Sequence, residues 1–271
     1  MNDTYFKDKV IIITGARQGI GKTLSHLFAS AGAGLSINSR NAGKLAELKN
    51  TLMSKGCEVI DIPGDISDEE ACKNIVDVTI SKFGKIDVLI NNAGIAGAGT
   101  VEEANSAVFR KQVEVNLLGS YYMTRHALPH IKSSNGSVLF VSSLAGLFGL
   151  PGYSGYSASK MALTALAQSL KNELHGQNVH IGVAYVGFTE NDPAKEQYNP
   201  KGELVPLPDR KVKRVSAEKT ASMIVRQIRN RKFMSVHSFL GKAERLVAKF
   251  FPGLIEMILR RSGTQESIVG K

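Results

Sequence analysis

The sequence predicts an α/β fold, a doubly wound parallel sheet with helices on both faces, built as a single domain. Three observations carry that prediction. Short β-branched runs alternate with segments of helix length, the rhythm of repeated strand–helix–strand units. The runs are apolar throughout instead of alternating with polar residues, as strands buried on both faces are. The chain has 271 residues, 43% of them apolar, enough for one large core.

The first run is VIIIT at 10–14, followed by a glycine-rich turn and a helical pattern. The next are GLSIN at 34–38, CEVID at 57–61, IDVLIN at 86–91, SVLFVS at 137–142 and VHIGVAY at 179–185, each separated from the last by a segment of helix length. No repeat or low-complexity linker interrupts this order before about residue 187. There the pattern breaks. Pro193, Pro200, Pro206 and Pro208, with charges between them, describe a loop too long for a simple connector, and a substrate lid over about 188–214 is expected. The catalytic domain is expected to occupy 1–238.

From Phe239 onward apolar residues including Leu246, Val247, Phe250, Leu254 and Ile258 follow a helical stripe, with Lys242, Arg245 and Lys249 elsewhere on the wheel. Pro252-Gly253 should divide the stripe into two short helices. Residues 239–271 are thus read as a basic amphipathic extension. Charge sharpens this reading, because residues 195–271 hold 17 Lys+Arg against 7 Asp+Glu, while residues 1–194 hold 17 of each. The whole formal excess of +10 lies in the C-terminal third. Such asymmetry suits an anionic surface, and peripheral contact with a membrane through 239–261 is expected. The plainer alternatives are a solvated basic face and a helix that caps the cleft or packs in an oligomer. Nucleic acid is not expected as a partner, since the basic segment lacks interleaved aromatics and any recognised module.

The start, MNDTYFKDKV, shows no apolar run of signal-peptide length, and later apolar stretches are too short or interrupted to span a bilayer, so a cytoplasmic location is expected. Cys57 and Cys72 form no CxxC pair and read as reduced packing residues. His126 and His130 stand at i, i+4, but no third ligand is evident and Pro129 disturbs the turn between them, so no metal site is expected.

Strand 10–14 runs into Thr14-Gly15-Ala16-Arg17-Gln18-Gly19-Ile20-Gly21 and then a helix, the placement that turns backbone N–H groups and a helix N-terminus toward a pyrophosphate. Glycine is needed where a Cβ would strike phosphate or the packed helix. Between a strand and a helix, the turn reads as the dinucleotide cradle of a Rossmann-like fold, with Gly15, Arg17, Gly19, Ile20 and Gly21 as binding residues. An acidic residue at the end of the second strand would bind the ribose hydroxyl of NAD, yet Ser39-Arg40 stands there. A guanidinium pairs with an added 2′-phosphate and a hydroxyl donates to it, whereas a carboxylate repels it. NADP(H) is therefore the expected cofactor, with Arg17 approaching the same phosphate from the turn.

These motifs, followed in order by Asn91-Asn92-Ala93-Gly94, Asn116, Ser143 and Tyr156-Ser-Ala-Ser-Lys160, resemble the short-chain dehydrogenase/reductase family over about residues 7–190. The resemblance implies that Tyr156 is the acid/base, that Lys160 lowers its pKa and binds the nicotinamide ribose, that Ser143 polarises a carbonyl and that Asn116 holds a water in a proton relay. It assigns Asp65 and Ile66 to the adenine side, Asn92 to the turn supporting the cofactor and Thr189 to the carboxamide, and it implies a homo-oligomer, a dimer or tetramer. The chemistry agrees. Ketone reduction creates an alkoxide that needs a proton, and a phenol near pKa 10 needs a neighbouring positive charge, which a lysine at i+4 supplies. Either Ser142 or Ser143 could donate to the carbonyl; the family spacing selects Ser143. In one departure, Val186-Gly187 stands where the family shows Pro-Gly, so the entry to the loop carrying Thr189 is less rigid.

The expected activity is NADP(H)-dependent transfer of hydride between a ketone and a secondary alcohol. A hydrophobic lipid-like substrate, a long-chain 3-keto lipid such as 3-ketosphinganine, a 3-oxoacyl chain or a steroid, matches the amphipathic segment. The alternative is a non-catalytic NADP-binding scaffold or redox sensor.

Overall fold

The computed structural model describes residues 4–190, 195–208, 214–237, 241, 246–247 and 250–263. Pro193, Phe239, Leu240, Lys242, Ala243, Arg245 and Lys249 lie outside the described residues, as does the end of the chain from 264.

Seven strands form one sheet: β1 (Val10–Thr14), β2 (Gly34–Ser39), β3 (Val59–Pro63), β4 (Val88–Asn91), β5 (Ser137–Ser143), β6 (His180–Val186) and β9 (Met234–Val236). Their spatial order is β3-β2-β1-β4-β5-β6-β9, every neighbouring pair parallel. The winding reverses between β1 and β4, where Ile11, Ile12 and Ile13 pair with Val88, Leu89 and Ile90. In open α/β sheets that reversal leaves a crevice at the carboxyl ends of the strands, where ligands bind. The six predicted strands are all present. The seventh, β9, was not anticipated, nor was the antiparallel hairpin of β7 (Glu196–Tyr198) and β8 (Leu204–Pro206) inside the proline-rich stretch.

Strand alternation divides the core into two layers. Ile11 and Ile13 point to one face, against Leu24 and Phe28 of α1 (Gly19–Ser30), Leu45 and Leu52 of α2 (Ala42–Met53), and Ile224 and Ile228 of α7 (Ala217–Arg229). Ile12 points to the other, with Ile75 of α3 (Glu69–Phe83), Met123 and Ile131 of α5 (Gly119–Ser133), and Leu163 and Leu170 of α6 (Ser154–Glu173). Because both faces are covered, all five β1 residues are buried, which is why the run VIIIT shows no polar alternation. Each fully buried Ile or Leu contributes about 1.5–3 kcal/mol relative to exposure. Cys57 and Cys72 are buried thiols, pushed up to about 11 and about 12 chiefly by burial, so neither is a ready nucleophile.

Helix starts differ in a way that marks the crevice. Asn41 caps α2 through Lys44 N–H, Asp68 caps α3, Asn105 caps α4 (Ser106–Val113) and Ser216 caps α7, each with its side chain. The first turns of α1 and α6 have no side-chain cap. Of these, α1 begins directly after the glycine turn at the carboxyl end of β1, leaving its first N–H groups directed at whatever binds there. Between α4 and α5 the chain forms a π-helical turn, Glu114–Leu118, whose wider winding carries Asn116. At the other end, α8 (Pro252–Gly263) opens on a proline at its first position, while most of the stretch before it, where a first short helix is expected, lies outside the described residues. Among the described residues no helix is long and apolar enough to cross a membrane.

Candidate active site

The glycine turn is shaped by what a side chain would strike. Gly15 and Gly19 have φ of 65° and 55°, in the left-handed region. A Cβ on Gly21 would lie 2.4 Å from the Gly15 carbonyl oxygen and 2.6 Å from Asn92 Nδ2, so only glycine lets α1 start this close to the turn. Above Gly19 the space is open, with nothing within 4 Å of an added Cβ. Arg17 and Ile20 are half-buried in the same turn, and Gln18 Oε1 is buried there with no hydrogen-bond partner among the described residues. A cradle of glycines and an uncapped helix start suit a pyrophosphate.

Asn92 locks this turn to β4. Its Nδ2 donates to the carbonyl oxygens of Thr14 at 2.9 Å and Gly15 at 3.1 Å. In return the Thr14 hydroxyl accepts from the N–H groups of Asn92 and Ala93 at 3.0 and 3.1 Å. The sequence reading placed Asn92 in a supporting turn but gave Thr14 no part; a buried threonine ending β1 opposite Asn-Asn-Ala-Gly was the available signal.

At the end of β2, Ser39 is buried, its Oγ donating to the Asn41 carbonyl at 3.3 Å. Arg40 lies 3.7 Å from Asp65, which also accepts from the N–H and hydroxyl of Ser67 at 3.0 and 2.8 Å. The Arg40 side chain is 50% exposed, so this contact holds it loosely. Ile66 beside Asp65 is buried, and a Cβ on Gly119 would come within 2.7 Å of it. Thr189 follows β6, donating to the Gly187 carbonyl at 3.3 Å and bridging to Val215.

The two adjacent serines at the end of β5 separate. Ser142 is buried and donates to the Lys160 carbonyl at 3.0 Å. Ser143 accepts from Ala145 N–H at 3.3 Å and acts on the Tyr156 phenol, pulling its pKa back down, so of the two it is Ser143 that faces the phenol. Lys160 is 5% exposed, with Nζ donating to the Val141 carbonyl at 3.0 Å and standing 6.0 Å from the centre of the Tyr156 ring. Burial, and secondarily Lys195, push the Lys160 pKa down to about 8. For Tyr156, burial pushes the phenol up, the Ser143 bond pulling it back and Tyr153 adding to the rise. The family pattern implied a phenol lowered by Lys160. In this structure burial outweighs the stabilising bond, and the ammonium is turned to a backbone carbonyl.

Asn116 is fully buried and its carboxamide is in full use. Oδ1 accepts from Ile95 N–H at 2.8 Å, while Nδ2 donates to the Ile95 carbonyl at 3.0 Å and to Ser159 Oγ at 2.9 Å. The side chain thus pins the loop after β4 against α6. Gly94 in that loop is necessary for the same reason, since its Cβ would stand 3.1 Å from both Asn116 Oδ1 and Lys160 Nζ. Ser159, whose Oγ donates to the Tyr156 carbonyl at 2.9 Å, was not foreseen.

The hairpin within the expected lid is bonded to the site wall. Tyr198 N–H donates to the Ala96 carbonyl and Ala98 N–H to the Tyr198 carbonyl, both at 2.9 Å. Asn105 N–H reaches the Pro200 carbonyl at 2.9 Å, and the Tyr153 hydroxyl donates to Gln197 at 3.3 Å. An open apolar groove of about 440 Å³ lined by Val101, Leu150, Pro151 and Met161 lies beside the start of α6 and includes neither Ser143 nor Tyr156. Among the described residues no group of three metal-ligating side chains occurs, and His126 instead faces Glu69 at 3.2 Å.

A doubly wound parallel sheet with a glycine cradle at its reversal, and with serine, tyrosine and lysine gathered at the neighbouring strand ends, makes this a Rossmann-like α/β protein. The chain belongs to the short chain dehydrogenase family, whose profile matches residues 9–202. Among curated relatives, 11-beta-hydroxysteroid dehydrogenase 1A of Arabidopsis thaliana is 35% identical over 200 residues, covering 73% of this chain and 57% of that protein. An uncharacterized oxidoreductase of Thermotoga maritima is 34% identical over 188 residues, covering 69% of this chain and 74% of that one. The chain therefore spans little more than half the length of the plant relative. Among solved structures, a short chain dehydrogenase/reductase from Burkholderia phymatum in complex with NAD superposes with a TM-score of 0.81 at 24% identity, covering 92% of this chain and 95% of the other. That likeness shows the fold.

Proposed function

We propose that this protein is an NADP(H)-dependent reductase/dehydrogenase that interconverts a ketone and a secondary alcohol on a hydrophobic, lipid-like substrate. The observation that carries the reading is the meeting of Tyr156 with Ser143 at the carboxyl edge, one helical turn from Lys160. Gly15, Gly19, Ile20 and Gly21 would hold the pyrophosphate, Asp65 and Ile66 the adenine, Asn92 the supporting turn, Thr189 the carboxamide and Lys160 the nicotinamide ribose. Arg17, Ser39 and Arg40 would take the 2′-phosphate. When bound, the nicotinamide supplies the hydride for reduction and accepts it in the reverse direction.

Ser143 donates a hydrogen bond to the substrate oxygen, whose negative charge grows as the carbonyl carbon becomes tetrahedral. The Tyr156 O–H gives that oxygen its proton. Raised by burial, the phenol stays protonated at neutral pH and is ready as an acid. The phenolate left behind is stabilised by the Lys160 ammonium and by Ser143 until a proton returns from water, through a relay we assign to the neighbourhood of Asn116.

The likeness to the plant 11-beta-hydroxysteroid dehydrogenases supports an apolar ring system or chain of similar bulk as substrate. A substrate drawn from lipid also fits a protein that rests on a membrane through residues 239–261. We take the working form to be a dimer or tetramer. The test is a panel of ketones running from small to steroid and long-chain 3-keto lipid, followed by NADPH absorbance with NADH as control. Turnover of the bulky ketones with at least a tenfold preference for NADPH is the expected result. Equal rates with NADH would remove the roles given to Ser39 and Arg40, and exclusive turnover of small ketones would remove the lipid-like substrate.

A further inference from the structure

The described part of the C-terminal segment carries a concentration of exposed apolar surface. Leu246, Phe250 and Phe251 are 59%, 61% and 64% exposed, and Leu254 and Met257 are 42% and 44% exposed. Single exposed apolar residues need no explanation, but five large ones within twelve positions do. Within α8 the exposure follows the helix period. Ile255 is buried and Leu259, four residues on, is half-buried, which sets the inward face. Leu254 and Met257, three apart, lie on the outward face, and Phe250 stands one turn before them.

Charge identifies what such a face fits. Residues 241–263 contain Lys242, Arg245, Lys249, Arg260 and Arg261 against Glu244 and Glu256, and the whole C-terminal third holds the +10 excess. The Arg260 side chain is 83% exposed, its contact with Glu256 being a loose 3.7 Å. A second copy of this chain would bring like charge against like charge, which is unfavourable. A bilayer carrying acidic headgroups offers apolar depth for Phe and Leu and negative charge for Lys and Arg at the same surface. Among the described residues no helix is long and apolar enough to cross that bilayer.

We propose that Leu246, Phe250, Phe251, Leu254 and Met257 form an interfacial docking surface for an anionic phospholipid membrane, with Phe250, Phe251 and Leu254 inserting among the headgroups and the basic excess of the segment's sequence attracting the acidic surface. This rests on the lipid-like substrate reading and deepens it, since a protein held at a bilayer draws such a substrate from that bilayer.

Co-sedimentation of the full chain with vesicles tests the proposal with no turnover assay, so its failure and the failure of the substrate reading are distinguishable. Vesicles of phosphatidylcholine with about a third phosphatidylglycerol should carry the protein down, those of pure phosphatidylcholine far less, and raising the salt to about 0.5 M should release it. A Phe250→Ser, Phe251→Ser, Leu254→Ser variant should lower binding about tenfold or more. The variant should keep its parent's circular dichroism and melting temperature. Light scattering on both proteins reads the rival occupant. Overturning results would be no binding to acidic vesicles, binding the variant retains in full, or a parent oligomer that the variant dissociates while vesicle binding stays absent.

Discussion

Asn116 Nδ2 donates to the hydroxyl of Ser159 at 2.9 Å, tying the π-helical turn to the helix that carries Tyr156 and Lys160. The same carboxamide exchanges two bonds with the backbone of Ile95. Removing it leaves buried donors and acceptors without partners, each costing about 1–3 kcal/mol. Asn116→Ala should therefore destabilise the fold by about 2–4 kcal/mol, read as a fall in Tm of roughly 5–10 °C. Turnover should fall further than unfolding alone explains, because the tether on Ser159 and the loop beside Lys160 are lost together.

Arg40 touches Asp65 at 3.7 Å across a largely exposed gap, a contact worth about 0–1 kcal/mol. Arg40→Ala should thus leave Tm within a degree or two while weakening NADPH against NADH by about 10- to 100-fold in kcat/KM. Loss of stability with unchanged cofactor preference would assign the residue to the fold instead.

Lys160 is pushed down to about 8 by burial. In the proposed mechanism its ammonium stabilises the phenolate, so kcat/KM for a ketone at saturating NADPH, which reports the enzyme form that meets the ketone, should fall as pH rises through about 8. Tyr156, raised by burial, does not limit reduction on the acid side of that limb. A pH profile of Lys160→Arg, whose charge persists to higher pH, should lack the alkaline limb whatever its absolute rate.

His180 is 5% exposed, its Nε2–H donating to the Lys232 carbonyl at 3.1 Å while Nδ1, 3.2 Å from Ser137 Oγ, accepts from that hydroxyl. Burial pushes its pKa down to about 4 from 6.5. The unfolded chain then binds the proton first, so the stability His180 contributes is full above about 6.5 and is lost as pH falls toward about 4, by about 3 kcal/mol. Denaturant midpoints at pH 7 and pH 4.5 should differ less in His180→Gln than in the parent.

Much of this molecule was legible in the chain because its strands are buried on both faces. Ile11, Ile12 and Ile13 feed two cores at once, so the run is apolar without alternation and cannot be mistaken for a half-exposed strand. Short elements left weaker traces. Met234, Ser235 and Val236 form an edge strand three residues long, held by pairing with Val183, Ala184 and Tyr185, and three residues carry no period. Glu196–Tyr198 and Leu204–Pro206 are held as a hairpin partly by the distant loop at 96–105, which local sequence does not announce. At the site, Ser142 and Ser143 are indistinguishable in sequence. They separate only because strand alternation sends one hydroxyl to the Lys160 carbonyl and the other to Tyr156.

The most direct measurement of the central claim is Tyr156→Phe, which removes one hydroxyl and leaves the ring's volume in place. NADPH binding should stay within about twofold of the parent, since the cradle of Gly15, Gly19 and Gly21 is untouched, while ketone reduction falls about a hundred- to ten-thousand-fold. A variant that binds NADPH and reduces the ketone as fast as its parent would contradict the account.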